Sequence, residues 1–206
     1  SQDLSHADDS TLCNDEECFD EILLRGLESR IDATSGDLLV VLHQKGSHGP
    51  EYYKRYPKGY ERFTPVCESN EPQNCDRQAI VNAYDNTIVY TDAVLDELIA
   101  LLARDAKRKG DATALFYLSD HGESLGEDGL YLHGFPYALA PSYQTHVPAL
   151  AWLSPTFGLD RDCLAGLQDN DYSQDNLFDT VLGLFAVQTQ VYRPGSDIFR
   201  GCRAAS

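Results

Sequence analysis

The stretch Ala114-Leu-Phe-Tyr-Leu-Ser-Asp120-His121-Gly122-Glu123-Ser124 runs from an apolar segment straight into a carboxylate, an imidazole, a glycine and a second carboxylate. The apolar half predicts a buried strand. In open α/β sheets, ligands gather beyond the carboxyl ends of strands. Asp120 and His121 in that place can both reach one metal ion, and their N and O donors suit Zn²⁺. Gly122 permits a sharp turn behind them. The competing reading is an Asp that caps a following helix, with an incidental His beside it.

Working outward, Asp37-Leu-Leu-Val-Val-Leu-His43 predicts a second buried strand of the parallel type. It leads into His43-Gln-Lys-Gly-Ser-His48-Gly-Pro50. Between the two strands, Asp76–Lys109 predicts a long helical stretch, one helix or two, with Ile80, Tyr84, Ile88, Thr91 and Leu95 on one face. Lys107, Arg108 and Lys109 suit its C-terminus, and Gly110 ends it. Phe19–Ile31 also has helical spacing. Gly129-Leu-Tyr-Leu-His133-Gly134 lies in a long loop, Pro148–Leu153 predicts a third strand, and Ser173 opens a last helix through Leu177, Val181 and Leu184. Strand, helix, strand, loop, strand, helix is an α/β order with a parallel sheet. Three strands are few for such a sheet, which implies unrecognised edge strands or a domain present in part.

His48, His121 and His133 thus stand beyond strands on one edge of the sheet. Metal ligands with further imidazoles around an open position suit metal-assisted phosphoryl or sulfuryl chemistry. Each residue has a plainer reading: His48 and His133 as solvent-exposed loop histidines, Glu123 as a first-turn helix glutamate.

Composition narrows the class. The 206 residues suit one domain, 1–206, with no internal boundary. A formal charge of −17 argues against a nucleic-acid partner and against simple adhesion to an anionic membrane. No apolar run is long enough to span a bilayer, and no segment looks like a signal peptide. Cys13 and Cys18, then Cys67 and Cys75, form two close pairs in polar loops, leaving Cys163 and Cys202. That pattern suggests disulfides and an oxidising compartment such as a bacterial periplasm. The basic, aromatic run Tyr52–Arg62 reads as a contact for lipid headgroups or as a solvated loop with packed tyrosines.

Taken together, Ser119-Asp-His-Gly-Glu-Ser124, His43 to Pro57, Asn82-Ala-Tyr-Asp-Asn86, Phe63-Thr-Pro-Val-Cys67, Tyr131-Leu-His-Gly134 and Ser173-Gln-Asp-Asn-Leu-Phe178 resemble the lipid A phosphoethanolamine transferases, a group that includes the mobile colistin-resistance enzymes. The resemblance implies a three-layer α/β/α sandwich with a mostly parallel sheet, alkaline-phosphatase/sulfatase-like. It implies a catalytic domain in the periplasm, tethered to the bacterial inner membrane. It implies Zn²⁺ held by Asp120 and His121. His48 and His133 would contact the transferred phosphoryl group or a second zinc, and Glu123 would be a catalytic residue near the metal, for proton transfer or second-metal binding. Donor and acceptor would be phosphatidylethanolamine and lipid A. In that family a nucleophilic threonine and a zinc-binding glutamate lie upstream, and no segment of Ser1–Asp37 resembles either. The expectation is therefore the C-terminal portion of a catalytic domain, inactive alone, whose partners are the rest of that domain and a membrane domain. The alternatives are a sulfatase or phosphodiesterase of the same superfamily, or an inactive, metal-free fragment.

Overall fold

The computed structural model describes residues 1–203. Packing divides the chain into two compact units. One holds Ser1–Leu101 and Phe116–Leu150, the other Leu102–Leu115 and the residues from Ala151 onward. The elements are α1 (Leu27–Ala33), α2 (Arg77–Lys109), β1 (Ala114–Leu118), β2 (Ser124–Leu125), β3 (Tyr131–Leu132), α3 (Ser142–Thr145), β4 (Ala149–Leu153), α4 (Arg161–Ala165) and α5 (Asp175–Leu184), with short 3₁₀ turns between them.

The long helix falls where its sequence puts it. Asp76 accepts from the backbone amide of Gln78 at 2.9 Å and so caps the first turn. At the other end Gly110 takes φ +79° and its amide closes on Ala106 O at 2.9 Å. The first unit packs its core on this helix: Ala79, Ile80 and Ala83 meet Tyr52, Cys67 and Leu125, with Tyr84, Tyr131 and Leu132 at the margin. Asn82 and Asn86 serve the loop above. Asn82 Nδ2 donates to Pro65 O at 2.8 Å. Asn86 Oδ1 accepts from the amides of Arg62 and Phe63 at 2.7 and 2.9 Å.

Two local expectations are corrected. Phe19–Ile31 is not one helix: a 3₁₀ turn, Asp20–Leu24, gives way to α1 at Gly26, whose φ of +69° breaks the spiral. Asp37–His43 joins no ladder among the described residues, and Leu39 and Val41 are 57% and 81% exposed. A strand of this type is held by neighbours on both edges and both faces. With no strand hydrogen-bonded to it among the described residues, the apolar run forms no ladder. Among the described residues the two strand pairs are antiparallel. Ser119 N–H donates to Pro148 O and Ser154 N–H to Thr113 O, which sets β1 and β4 head to tail. Strands β2 and β3 form a short antiparallel hairpin, Ser124 opposite Leu132. It lies inside what reads in the sequence as loop.

In the second unit, α4 and α5 are tied to the C-terminal segment. Asp160 caps α4 through Cys163 N at 2.8 Å, and Cys163 is bonded to Cys202. Asp179, fully buried on α5, accepts from Arg193 Nε and N. All six cysteines are in disulfides: Cys13–Cys18, Cys67–Cys75 and Cys163–Cys202. No helix among the described residues is long and apolar enough to cross a membrane.

Candidate functional site: three imidazoles around one buried carboxylate

The site is assembled from two loops and the hairpin, all within the first unit. The loop carrying His48 is fixed along its length. Asp20 accepts from the amides of Lys45 and Gly46, both at 2.8 Å. The Ser47 hydroxyl is hydrogen-bonded to Thr87 on α2 at 2.6 Å. The Gly49 amide donates to Glu123 at 3.1 Å. His121 lies three residues beyond the end of β1, and the turn behind it is set by Gly122, whose amide donates to Gln144 O at 2.9 Å. His133 leaves β3 from Leu132, a residue at φ +63°. Gln144 Nε2 holds that strained position by donating to Leu132 O at 3.0 Å.

These supports bring three imidazoles together. One ring nitrogen from each of His48, His121 and His133 lies within 4.8 Å of the others. The His121 and His133 rings stack with centroids 3.8 Å apart, and His48 meets His133 edge-on at 4.9 Å. Asp120 stands at the rim, side chain 78% exposed, with Oδ1 3.9 Å from His121 Nε2. His6, His43 and His146 are outside the cluster.

The second ring nitrogens carry the chemical argument. His48 Nδ1 faces Gly49 O at 2.7 Å, His121 Nδ1 faces Gly122 O at 3.1 Å, and His133 Nδ1 faces Glu123 Oε1 at 3.0 Å. A carbonyl oxygen only accepts, and a carboxylate oxygen here does the same, so in each neutral ring the hydrogen belongs on Nδ1. Each Nε2 then keeps its lone pair. Metal-ligating histidines are oriented in this way, by a hydrogen bond from the other ring nitrogen to a carboxylate or backbone carbonyl. The donor set therefore fits a divalent metal of the zinc type. A tetrahedral zinc with bonds of about 2.0–2.1 Å asks for nitrogens about 3.4 Å apart, a contraction that ring rotation supplies. No cysteine thiolate is available as a further ligand, since every cysteine is in a disulfide.

Glu123 stands behind this cluster, not at its open face. It is 3% exposed by side chain. Oε1 accepts from Gly49 N and His133 Nδ1, and Oε2 from the Tyr52 hydroxyl at 3.4 Å. Burial, and then the negative charge of Glu123, push the Tyr52 hydroxyl well above the usual phenol range, so it remains a donor. The carboxylate thus binds together the three segments that carry the cluster, and acts on the open face through His133. Glu123→Gln puts an amide N–H against at least one of those donors. It is expected to weaken Zn²⁺ binding by about 10–100-fold and to lower stability by about 1–3 kcal/mol. Competitive zinc titration and urea unfolding of the variant check both. An affinity equal to the parent's would remove Glu123 from the site.

Tyr52 and Gln144 are supports that the sequence alone does not mark: no spacing distinguishes them from other loop residues. The basic, aromatic run is resolved toward packing. Tyr52 and Tyr56 are buried, and Lys54, Arg55 and Lys58 are paired with Glu16 and Glu51, with Glu17, and with Glu61.

Comparison with known proteins places the architecture. The sulfatase family model matches residues 1–187. Phosphoethanolamine transferase EptA of Salmonella typhimurium is 51% identical over 199 residues, which is 94% of this chain and 36% of that protein. The soluble domain of lipooligosaccharide phosphoethanolamine transferase A from Neisseria meningitidis superposes with a TM-score of 0.93 at 42% identity, over 99% of this chain and 62% of that one. The integral membrane form of the same Neisseria protein gives a TM-score of 0.94 and is covered over 39% of its length. The chain spans about a third of the length of the curated relatives it matches. The α/β order read from the sequence is therefore that of a known catalytic fold, and the chain belongs to the sulfatase family, aligning over nearly its whole length with phosphoethanolamine transferases.

Proposed function

We propose that this chain forms the histidine-bearing part of a zinc-dependent enzyme that moves phosphoethanolamine from phosphatidylethanolamine to lipid A. The observation that carries the reading is the trio of imidazoles at one point, each with Nδ1 engaged by an oxygen. His48, His121 and His133, with Asp120 at the rim, are the residues that would hold Zn²⁺, and the metal would in turn meet the oxygens of the phosphoryl group. Bound there, the metal supplies Lewis-acid stabilisation of the charge on those oxygens. The chain's own part is to orient the rings. Glu123 fixes His133, the Gly49 and Gly122 carbonyls fix His48 and His121, and the Ser47–Thr87 and Asp20 contacts keep the His48 loop from drifting. Positioned donors of this kind contribute most of the catalysis in phosphoryl transfer. In the reaction the P–O bond to diacylglycerol breaks and a P–O bond to a lipid A phosphate forms.

The nucleophile and the remaining metal ligand would come from the rest of the catalytic domain, and a membrane domain would hold the site at the inner membrane. Three disulfides suit a periplasmic setting. The deciding experiment incubates the complete protein with phosphatidylethanolamine and lipid A and follows both products by mass spectrometry. Phosphoethanolamine-bearing lipid A and an equal amount of diacylglycerol are expected. Hydrolysis of aryl sulfate with no lipid product would assign the chain to a sulfatase instead.

A further inference from the structure

The loop that follows His133 has a property the histidine cluster does not explain. In Gly134-Phe-Pro-Tyr-Ala-Leu-Ala-Pro141, Phe135, Tyr137 and Leu139 are 43%, 84% and 74% exposed. Three large apolar side chains on one short loop form an exposed patch of the kind that marks an interaction surface. The charge pattern around them is equally unusual. The molecule carries −17 overall, yet from Gly129 to Leu159 there is no Asp, Glu, Lys or Arg.

We infer that the Phe135–Leu139 loop is a membrane-docking element that enters the headgroup region of a lipid surface and sets the histidine cluster at that depth. Three observations select this occupant. An acidic protein is repelled by anionic lipid, so its approach is best made by a segment without carboxylates, and within the first unit the run from Gly129 to Leu150 is one. The residue types fit an interface: Phe135, Tyr137 and Leu139 offer apolar bodies to the lipid, and the Tyr hydroxyl stays at the headgroups. Part of the backbone is already paired within the loop. The amides of Leu139 and Ala140 both donate to Pro136 O, at 2.8 and 3.0 Å, and Pro136 and Pro141 have no amide hydrogen to leave unpaired. Tyr137 follows His133 by four residues, so docking this loop brings the cluster to a lipid phosphate.

The proposal deepens the lipid-substrate reading above and rests on it for the choice of a lipid surface. Its test is separate, because vesicle binding involves no transfer. The chain is co-sedimented with vesicles of phosphatidylcholine and phosphatidylethanolamine, as is the double variant Tyr137→Ser/Leu139→Ser. Both side chains are largely exposed, so folding is unaffected, and Trp152 fluorescence confirms it. Loss of the two side chains is expected to lower partitioning by about tenfold or more. Replacing part of the lipid with phosphatidylglycerol is expected to weaken binding of the parent. A second apolar stretch provides the control: Leu39→Ser/Val41→Ser is expected to leave partitioning unchanged. Failure of the parent to bind, equal binding by the loop variant, or an equal loss from the Leu39/Val41 variant overturns the proposal. In the complete protein, transfer activity with no vesicle binding by this loop overturns it and leaves the proposed reaction intact.

Discussion

His121→Ala is expected to abolish transfer by the complete enzyme, by about a thousandfold or more. That is the value of several kcal/mol of charge stabilisation at the phosphoryl group. His121 is close to three other contributors: its ring stacks on His133, lies 6.0 Å from His48, and has Nε2 3.9 Å from the Asp120 carboxylate. Its removal deletes a donor from the cluster and leaves the supports untouched, since the Gly122–Gln144 and Glu123 contacts do not pass through the imidazole. Zinc affinity of the isolated chain should therefore fall by more than the roughly 10–100-fold typical of a supporting residue, with the urea midpoint little changed. Isothermal titration and equilibrium unfolding measure the two separately. A variant that keeps parental zinc affinity, or that transfers phosphoethanolamine at the parental rate, contradicts the assignment.

Gly122→Ala should damage the same site from the backbone. A Cβ built on Gly122 falls 2.0 Å from Tyr143 O and 3.3 Å from Gln144 Cα. Both are main-chain atoms, so no flexible side chain can step aside. The α3 segment is also tied to the site, with Gln144 donating to Leu132 O and to the Ser124 hydroxyl. Relief of the clash must push α3 away from the hairpin and loosen the turn from which His133 departs. Overpacking against such rigid neighbours costs about 3 kcal/mol, and metal affinity should fall alongside stability. Urea unfolding with zinc titration distinguishes this from His121→Ala, in which stability is kept. A Gly122→Ala protein as stable as the parent would mean that the close approach of the two backbones is not needed.

What could be read from the sequence follows from how local each feature is. α2 is bounded by Asp76 and Gly110, whose conformational preferences act over one turn, and its long apolar face needs no partner to be recognised. β1 and β4 were legible as apolar runs with breakers on either side. Asp37–His43 has the same signature, but a strand exists only in a ladder, and nothing in the seven residues says whether a neighbour is present. The β2–β3 hairpin was illegible because two residues per strand carry no period. In the site, glycines beside His48, His121 and His133 pointed to close backbone approach, and the structure brings these three rings together. The direction of Glu123 could not be foreseen. One residue separates it from His121, and only the burial of Ser124 and Leu125 in the hairpin turns its carboxylate inward, toward His133 Nδ1. Asp120 and His121 read as an equal pair, yet the loop leaves Asp120 at the rim.

The central claim is that three imidazoles, each oriented through Nδ1, present Nε2 to one divalent ion. X-ray absorption at the zinc edge of the zinc-loaded, dialysed chain tests it most directly. The account predicts one zinc per chain with a nitrogen/oxygen shell at about 2.0–2.1 Å and the multiple-scattering pattern of three imidazoles. No retained zinc, or a first shell without imidazole scattering, would contradict it.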